Sequence, residues 1–316
     1  MQAVTPARSL ATPVVRAALW MSGALLSLAT MAVAGRELAA ELTPFQVLLF
    51  RNAIGLFVLV AVLSRSGWQR VRTAHAGVHL RRNLLHFIGG CGWFYGLAHL
   101  PLTQVIAIEF TVPVWVALFA TVVLGERLSA PRRLAVAAGL LGVWLILRPG
   151  IADVSPAALA VLGGAFAYAG AYTLTKRLSA SEAPVVVLFY MALIQLPLAL
   201  LPALIDWQMP SAAAWPWLLV VGFTTLGAHF CITRALTLAD ATVVMPLDFL
   251  RLPLIAVIGY AYYGEALDWW VLAGACVMVA GNLYSLKRES SAVTPGHLRI
   301  LSVPDQQGRA HEKDHG

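Results

Sequence analysis

Apolar residues run through this chain in long blocks, each closed by a short polar or basic stretch. A helix needs about 17 to 25 such residues to cross a bilayer. Ten blocks approach or meet that length: residues 14–33, 43–64, 83–98, 102–124, 134–147, 157–174, 183–204, 215–235, 241–263 and 269–286. Each predicts a transmembrane helix, and ten of them leave almost no room for a soluble domain. The expected fold class is an all-α integral membrane protein. The opening "MQAVTPARSL" leads into a first block that is long, is followed by nine more and lacks a clear A-x-A cleavage site, so it reads as an uncleaved first helix. Past residue 286 the chain turns polar, and residues 289–316 are expected to form a disordered cytoplasmic tail.

Composition strengthens this picture. The chain is 59% hydrophobic and 12% charged, with mean hydropathy +0.77, where a soluble domain carries roughly 25% charged residues. The formal charge of +7 does not point to nucleic acid, because the basic residues fall in short clusters between apolar blocks and no basic patch is interleaved with aromatic rings. With a cytoplasmic N-terminus the inside loops hold ten Lys and Arg (Arg65, Arg70, Arg72, Arg81, Arg82, Arg127, Arg132, Arg133, Lys176, Arg177), against two outside, Arg36 and Arg148. Both termini are therefore expected in the cytoplasm. Cys91, Cys231 and Cys276 are odd in number, lie in apolar stretches and show no metal spacing, so neither a structural disulfide nor a metal site is expected.

The blocks also repeat. "VVLGERLS" aligns with "AYYGEALD", pairing Gly125 with Gly264 and Glu126 with Glu265 at an offset of 264 − 125 = 139. The same offset pairs Thr103 with Thr242, Glu109 with Asp248, Phe110 with Phe249, Gly142 with Gly281, and Leu49 and Phe50 with Leu188 and Phe189. Each unit holds five helices, an odd number, so the second must enter the membrane from the opposite side. The expected organisation is two inverted five-helix repeats, residues 1–150 and 151–288, an architecture of secondary transporters that bind solute near the midplane.

The stretch "GLAHLPLTQVIAIEFTVPVWVALFATVVLGERLSAPRRLAVAAGLLGVWLILRPG" and its weaker echo "ALTLADATVVMPLDFLRLPLIAVIGYAYYGEALDWWVLAGACVMVAGNLY" resemble the two EamA repeats of the drug/metabolite transporter superfamily. The resemblance rests on the proline within the fourth helix, the Gly-Glu at its end and the Gly-x-x-Gly-Val of the fifth. It implies a ten-helix carrier of small metabolites in a bacterial inner membrane. The segment "MPLDFLRLP" is similar to members that carry S-adenosylmethionine or riboflavin. The second copy departs in one respect: its proline is Pro253, one place past the position matching Pro113, so the two helix breaks are not expected to be equivalent.

Candidate chemistry centres on charges at depth. Glu109 lies seven residues into the fourth helix, about 10 Å from the outside, and Arg51 eight residues into the second, about 12 Å. A pair between them would offset much of their desolvation cost. Asp248 lies about 10 Å from the cytoplasmic side, with Arg251 one turn along the same face. Two acid and basic sets are thus expected to straddle the midplane, either as structural pairs or facing a solute cavity, the usual role of ionisable groups inside a membrane. Pro113, Pro246 and Pro253 add helix breaks of the kind tolerated where backbone lines a cavity. Trp93, Phe94 and Tyr95, with Trp20 and Trp115, could stack on a flat solute or serve as packing and interface anchors. Gly92 and Gly96, and Gly139 and Gly142, read as close helix contacts. His86 and His229 could relay protons or simply pack, and Arg234 is placed to snorkel.

One motif points elsewhere. "HEKDH", His311 to His315, matches the HExxH zinc signature, but that chemistry needs a helix presenting both histidines, a third ligand and a walled site, and here the motif ends one residue before the C-terminus in a polar tail. An enzyme is not expected, and no cofactor is called for. No GxxxxGK[ST] loop is present, so transport would be secondary. The function expected is alternating-access transport of a small zwitterionic or amphiphilic metabolite, of the S-adenosylmethionine, riboflavin or amino-acid type. The alternative is a non-transporting membrane scaffold whose buried charges only pair. Expected partners are the solute and the lipid bilayer, with a coupling proton and a second copy of the chain as options, and no nucleic acid.

Overall fold

The computed structural model describes residues 11–124, 128–150, 153–179, 181–238 and 245–293. Gly125 and Glu126, Thr242 and residues 294–316 with the "HEKDH" motif lie outside the described residues, while residues 289–293, expected in a disordered tail, continue the last helix instead. The described chain folds into helices α1 (Ala11–Leu38), α2 (Pro44–Ser66), α3 (Ala76–His99), α4 (Leu102–Glu109), α5 (Val112–Leu124), α6 (Ala130–Leu147), α7 (Pro156–Leu178), α8 (Pro184–Ala203), α9 (Ala214–Leu236), α10 (Arg251–Tyr263) and α11 (Trp269–Val293). Short 3-10 segments cover Trp68–Val71 and Met245–Leu250.

Local chemistry sets several helix starts. Thr43 and Gln46 form a capping box, each side chain accepting the other's backbone N–H, and Pro44 occupies the first turn, where its missing N–H costs nothing. Ser129 and Ser155 cap α6 and α7 more simply, each side chain accepting one backbone N–H of the first turn, which also holds a proline.

Among the described residues, eight helical stretches are long and apolar enough to cross a membrane, α4 and α5 forming one of them. The two remaining crossings are explained by their residues. Helix α3 has the length, 24 residues, but carries Arg81, Arg82, glycines and rings that lower its hydropathy. In the ninth crossing α10 spans only 13 residues and is extended by the 3-10 segment before it.

Numbering the crossings in chain order, with α4–α5 as the fourth and the second 3-10 segment plus α10 as the ninth, the first packs on the eighth and the third on the sixth. The second packs on the seventh, the fourth on the ninth and the fifth on the tenth. Exchanging each helix for its partner five crossings away leaves this set of pairs unchanged, as two inverted copies packed about a pseudo-twofold axis require. Glycine allows two of these contacts. A Cβ on Gly142 would lie 2.6 Å from the Gly274 carbonyl, and one on Gly274 2.6 Å from the Gly142 carbonyl, so α6 and α11 cross backbone to backbone. Gly92 plays the same part between α3 and α7, where its Cβ would overlap the Ala160 carbonyl.

Candidate functional site

The fourth crossing breaks where its carboxylate sits. Pro113, second residue of α5, has no N–H to offer the Glu109 carbonyl four residues back, and its ring excludes that carbonyl from a regular helix. Helix α4 ends at Glu109, and α5 starts after the fully buried Thr111. The ninth crossing breaks differently, as Pro253 foreshadows: a 3-10 turn runs to Leu250, α10 opens at Arg251, and Pro253 is its third residue. Pro246 falls within that 3-10 turn.

The two breaks face each other. The repeat mates Phe110 and Phe249 meet edge to face with ring centroids 5.3 Å apart. Their neighbours Glu109 and Asp248 both reach Arg251, whose guanidinium donates to each carboxylate at 3.3 Å and lies over the Phe110 ring at 5.5 Å. Trp93, from α3, donates its indole N–H to Glu109 Oε2 at 3.0 Å. The Arg251 side chain is 4% exposed, against 18% for Glu109 and 22% for Asp248. Asp248 Oδ1 is buried and has no partner among the described residues.

Three properties follow. Two acids share one arginine, so acidic groups outnumber basic ones in the cluster. Contacts of 3.3 Å exceed the roughly 2.7–2.9 Å of tight charge-assisted bonds, so a competing donor can enter. The offset of 139 places Val112 opposite Arg251 (251 − 139 = 112), so the shared cation is supplied by one repeat alone.

This corrects the expected pairing. Glu109 is not held by Arg51, and the acids do not form two separate sets on either side of the midplane. Helix α2 packs on α8, α9 and α3 rather than on α4, which turns Arg51 toward α8, where it donates to Gln195 Oε1 at 2.9 Å. Gln195 Nε2 lies 3.1 Å from His86 Nδ1, and the His86 ring stands edge-on to Tyr168. A second buried guanidinium, Arg82, sits inside α3 rather than in a loop and donates to Thr175 Oγ1 and Asn83 Oδ1.

The aromatic expectations divide. Trp93 is buried and spends its N–H on Glu109, so it positions the carboxylate rather than offering an open face. Tyr95 is turned away from the cluster: it is 37% exposed and packs at a tilt against the His99 ring one turn along α3. Trp115 donates to Thr111 Oγ1 at 3.2 Å and packs edge-on against Phe166, which places it beside the break. Trp20 packs on Phe230 and beneath the exposed Arg234. Sequence reasoning passes over Gln195 and assigns Arg82 to a loop. Gln195 carries a usable signal, being the one amide in the apolar run "PVVVLFYMALIQLPLALL".

Outside the membrane-spanning segments, Glu265 ties three elements together. It accepts the Leu102 N–H at the start of α4 at 2.9 Å and pairs with Arg36 at 3.2 Å. Arg36 also donates to the Leu97 and Leu100 carbonyls at the end of α3. Burial raises the Glu265 carboxyl above its ordinary 4.5, against the opposing pull of the Leu102 N–H and Arg36. A carboxyl raised on folding favours the folded state below 4.5, and that contribution is lost as pH rises through the raised value. Glu265→Gln, which mimics the protonated form, should therefore fold and show a flatter dependence of thermal midpoint on pH from 4.5 upward than the parent protein. An unchanged slope would contradict this role for Glu265.

Comparison with known proteins places this geometry in a family. The model of the EamA-like transporter family matches residues 15–148 and again 155–286. The riboflavin transporter of Vibrio cholerae is 33% identical over 267 residues, 83% of this chain and 90% of its own length. The S-adenosylmethionine uptake transporter of Rickettsia prowazekii is 27% identical over 86% of this chain and 94% of its own. The pseudopaline exporter of Pseudomonas aeruginosa is 26% identical over 77% of this chain and 86% of its own. One solved crystal structure, 20% identical, shares the fold with a TM-score of 0.61 over 88% of this chain and 98% of its own. Matched twice by one family model, in two tandem stretches that together take in all ten crossings, this multi-pass chain belongs to the EamA-like transporter family.

Proposed function

We propose that this protein moves a small zwitterionic or amphiphilic metabolite across the bacterial inner membrane by alternating access, with both termini in the cytoplasm. The solute places a cationic or hydrogen-bond-donating group between Glu109 and Asp248. The observation that carries this reading is one arginine shared by two repeat-mate acids at the point where both crossings break. Arg251 needs only one of the acids at a time, and the other is free to meet the solute or a coupling proton. Because the acids come from opposite repeats, a rocking of one repeat against the other shifts Arg251 from the first acid toward the second, which couples solute release to the change in access.

The relatives support a solute with polar and ring-bearing parts, one being named for riboflavin and one for S-adenosylmethionine. Counterflow of labelled S-adenosylmethionine and riboflavin into proteoliposomes tests the reading. Glu109→Gln and Asp248→Asn should insert and purify, since Arg251 keeps one acid in each, yet lose at least nine-tenths of whichever counterflow the parent protein shows. Parent-level counterflow in both variants would reject the role given to the acids.

A further inference from the structure

The acid cluster explains one end of a solute and leaves the opposite charge unassigned. Arg51 is 4% exposed, yet among the described residues no carboxylate lies within ion-pair distance of it. The side chains it meets are uncharged: it donates to the Gln195 oxygen and lies against Tyr168, and its Nε has no partner. Arg82, 2% exposed, is likewise bonded only to neutral oxygens, those of Thr175 and Asn83. Burying a guanidinium without a counter-charge is costly. Two in one bundle give the interior a cationic region as distinct as the anionic one around Glu109 and Asp248.

Three observations bear on what Arg51 could hold. Gln195 holds it from one side while turning its amide nitrogen to His86, so the guanidinium is oriented rather than loose. Arg51 also borders a cleft between α2, α8 and α9, where Asn52 and Thr225 are the other polar groups among Gly55, Met191 and Gly222. The Arg51 guanidinium lies 6.0 Å from the Phe94 ring, and Phe94 meets Trp93, which holds Glu109, at 5.1 Å between ring centroids, so two rings link the two charged regions.

We propose that Arg51, braced by Gln195, is the carboxylate-binding end of the solute site, so that the solute is an amino-acid-type zwitterion. Its carboxylate meets Arg51 while its cationic group meets Glu109 and Asp248. This rests on the transport reading above and narrows it: a neutral flavin has no group that needs Arg51, whereas a metabolite bearing an α-amino acid does. Arginine suits the role because its planar fork binds a carboxylate through two parallel N–H donors, which a lysine cannot reproduce.

The test compares three probes on the full-length protein in nanodiscs by isothermal titration: S-adenosylmethionine, its decarboxylated analogue and riboflavin. The two adenosyl compounds share a sulfonium and an ammonium and differ by the carboxylate alone. The protein should bind S-adenosylmethionine at least tenfold more tightly than the analogue. Arg51→Gln should bring the two affinities together, while Arg51→Lys should retain part of the preference. Since no acid loses its partner, Arg51→Gln should also unfold at a temperature no lower than the parent, which separates lost binding from lost fold.

Equal affinities in the parent protein, a preference that survives Arg51→Gln, or no binding of S-adenosylmethionine would each overturn the assignment. The transport reading fails on a different signal, unchanged counterflow in Glu109→Gln and Asp248→Asn, whatever the carboxylate preference proves to be.

Discussion

Arg251→Gln is expected to be the most damaging single change of charge in this protein, lowering its stability by about 3–5 kcal/mol. The substitution removes the cation shared by Glu109 and Asp248 and leaves two carboxylates close together within the membrane, one held by the Trp93 N–H and the other by nothing described. An isolated intramembrane acid is costly, and a second like charge beside it adds repulsion. Resistance to SDS or to heating in mild detergent reads the loss. Neutralising the acids as well, in the triple variant Arg251→Gln, Glu109→Gln and Asp248→Asn, should restore most of it, since no uncompensated charge remains. A single variant as stable as its parent would mean that Arg251 is not the counter-charge for this pair.

Gly92→Leu should also be strongly damaging, for a different physical reason. A Cβ at this position would overlap the Ala160 carbonyl, and Gly89 and Gly164 narrow the same contact, since a Cβ on Gly164 would lie 3.0 Å from the Gly89 carbonyl. Neither backbone can yield without parting α3 from α7, and overpacking a close-packed contact costs about 1–3 kcal/mol or more. The damage reaches the site, because the next residue is Trp93, which holds Glu109. The variant should be recovered at a small fraction of the parent yield, with its tryptophan fluorescence red-shifted. Normal yield and an unshifted spectrum would show that α3 and α7 need not touch here.

Much of this arrangement is legible in the sequence, because the bilayer imposes a strong rule on composition. Apolar blocks of spanning length give the helices, and an ungapped offset of 139 gives the repeat, so Glu109 and Asp248 stand out as matched acids by spacing alone. Pro113 marks the break at Glu109, because the ring excludes the carbonyl four residues back whatever the tertiary context.

The partner of Glu109 is not legible in the same way. Depth along a helix fixes a residue's height in the membrane but not the direction in which its side chain points, and Arg51 matches Glu109 in height alone. Its direction depends on α2 packing against α8, a tertiary fact that no local spacing encodes. Arg82 is easily misplaced because a basic residue near a predicted helix end reads as a loop charge, whereas α3 begins six residues earlier, at Ala76. Tyr95 and Trp93 differ by two positions on one helix, about 200° of rotation at 3.6 residues per turn. One therefore faces the acid and the other the surface.

The triple variant also carries the decisive measurement. With Arg251, Glu109 and Asp248 replaced by Gln, Gln and Asn, a stably folded protein retains the helices, the breaks and the packing of the two repeats but not the charges at their meeting point. Its counterflow of S-adenosylmethionine and riboflavin in proteoliposomes, set against the parent protein at equal protein content, asks whether those charges drive the cycle or merely hold it together. If they drive it, counterflow should fall to the level of protein-free liposomes in a protein as heat-resistant as the parent. Parent-level counterflow from that variant would contradict the proposed role and leave the three residues as a structural ion cluster.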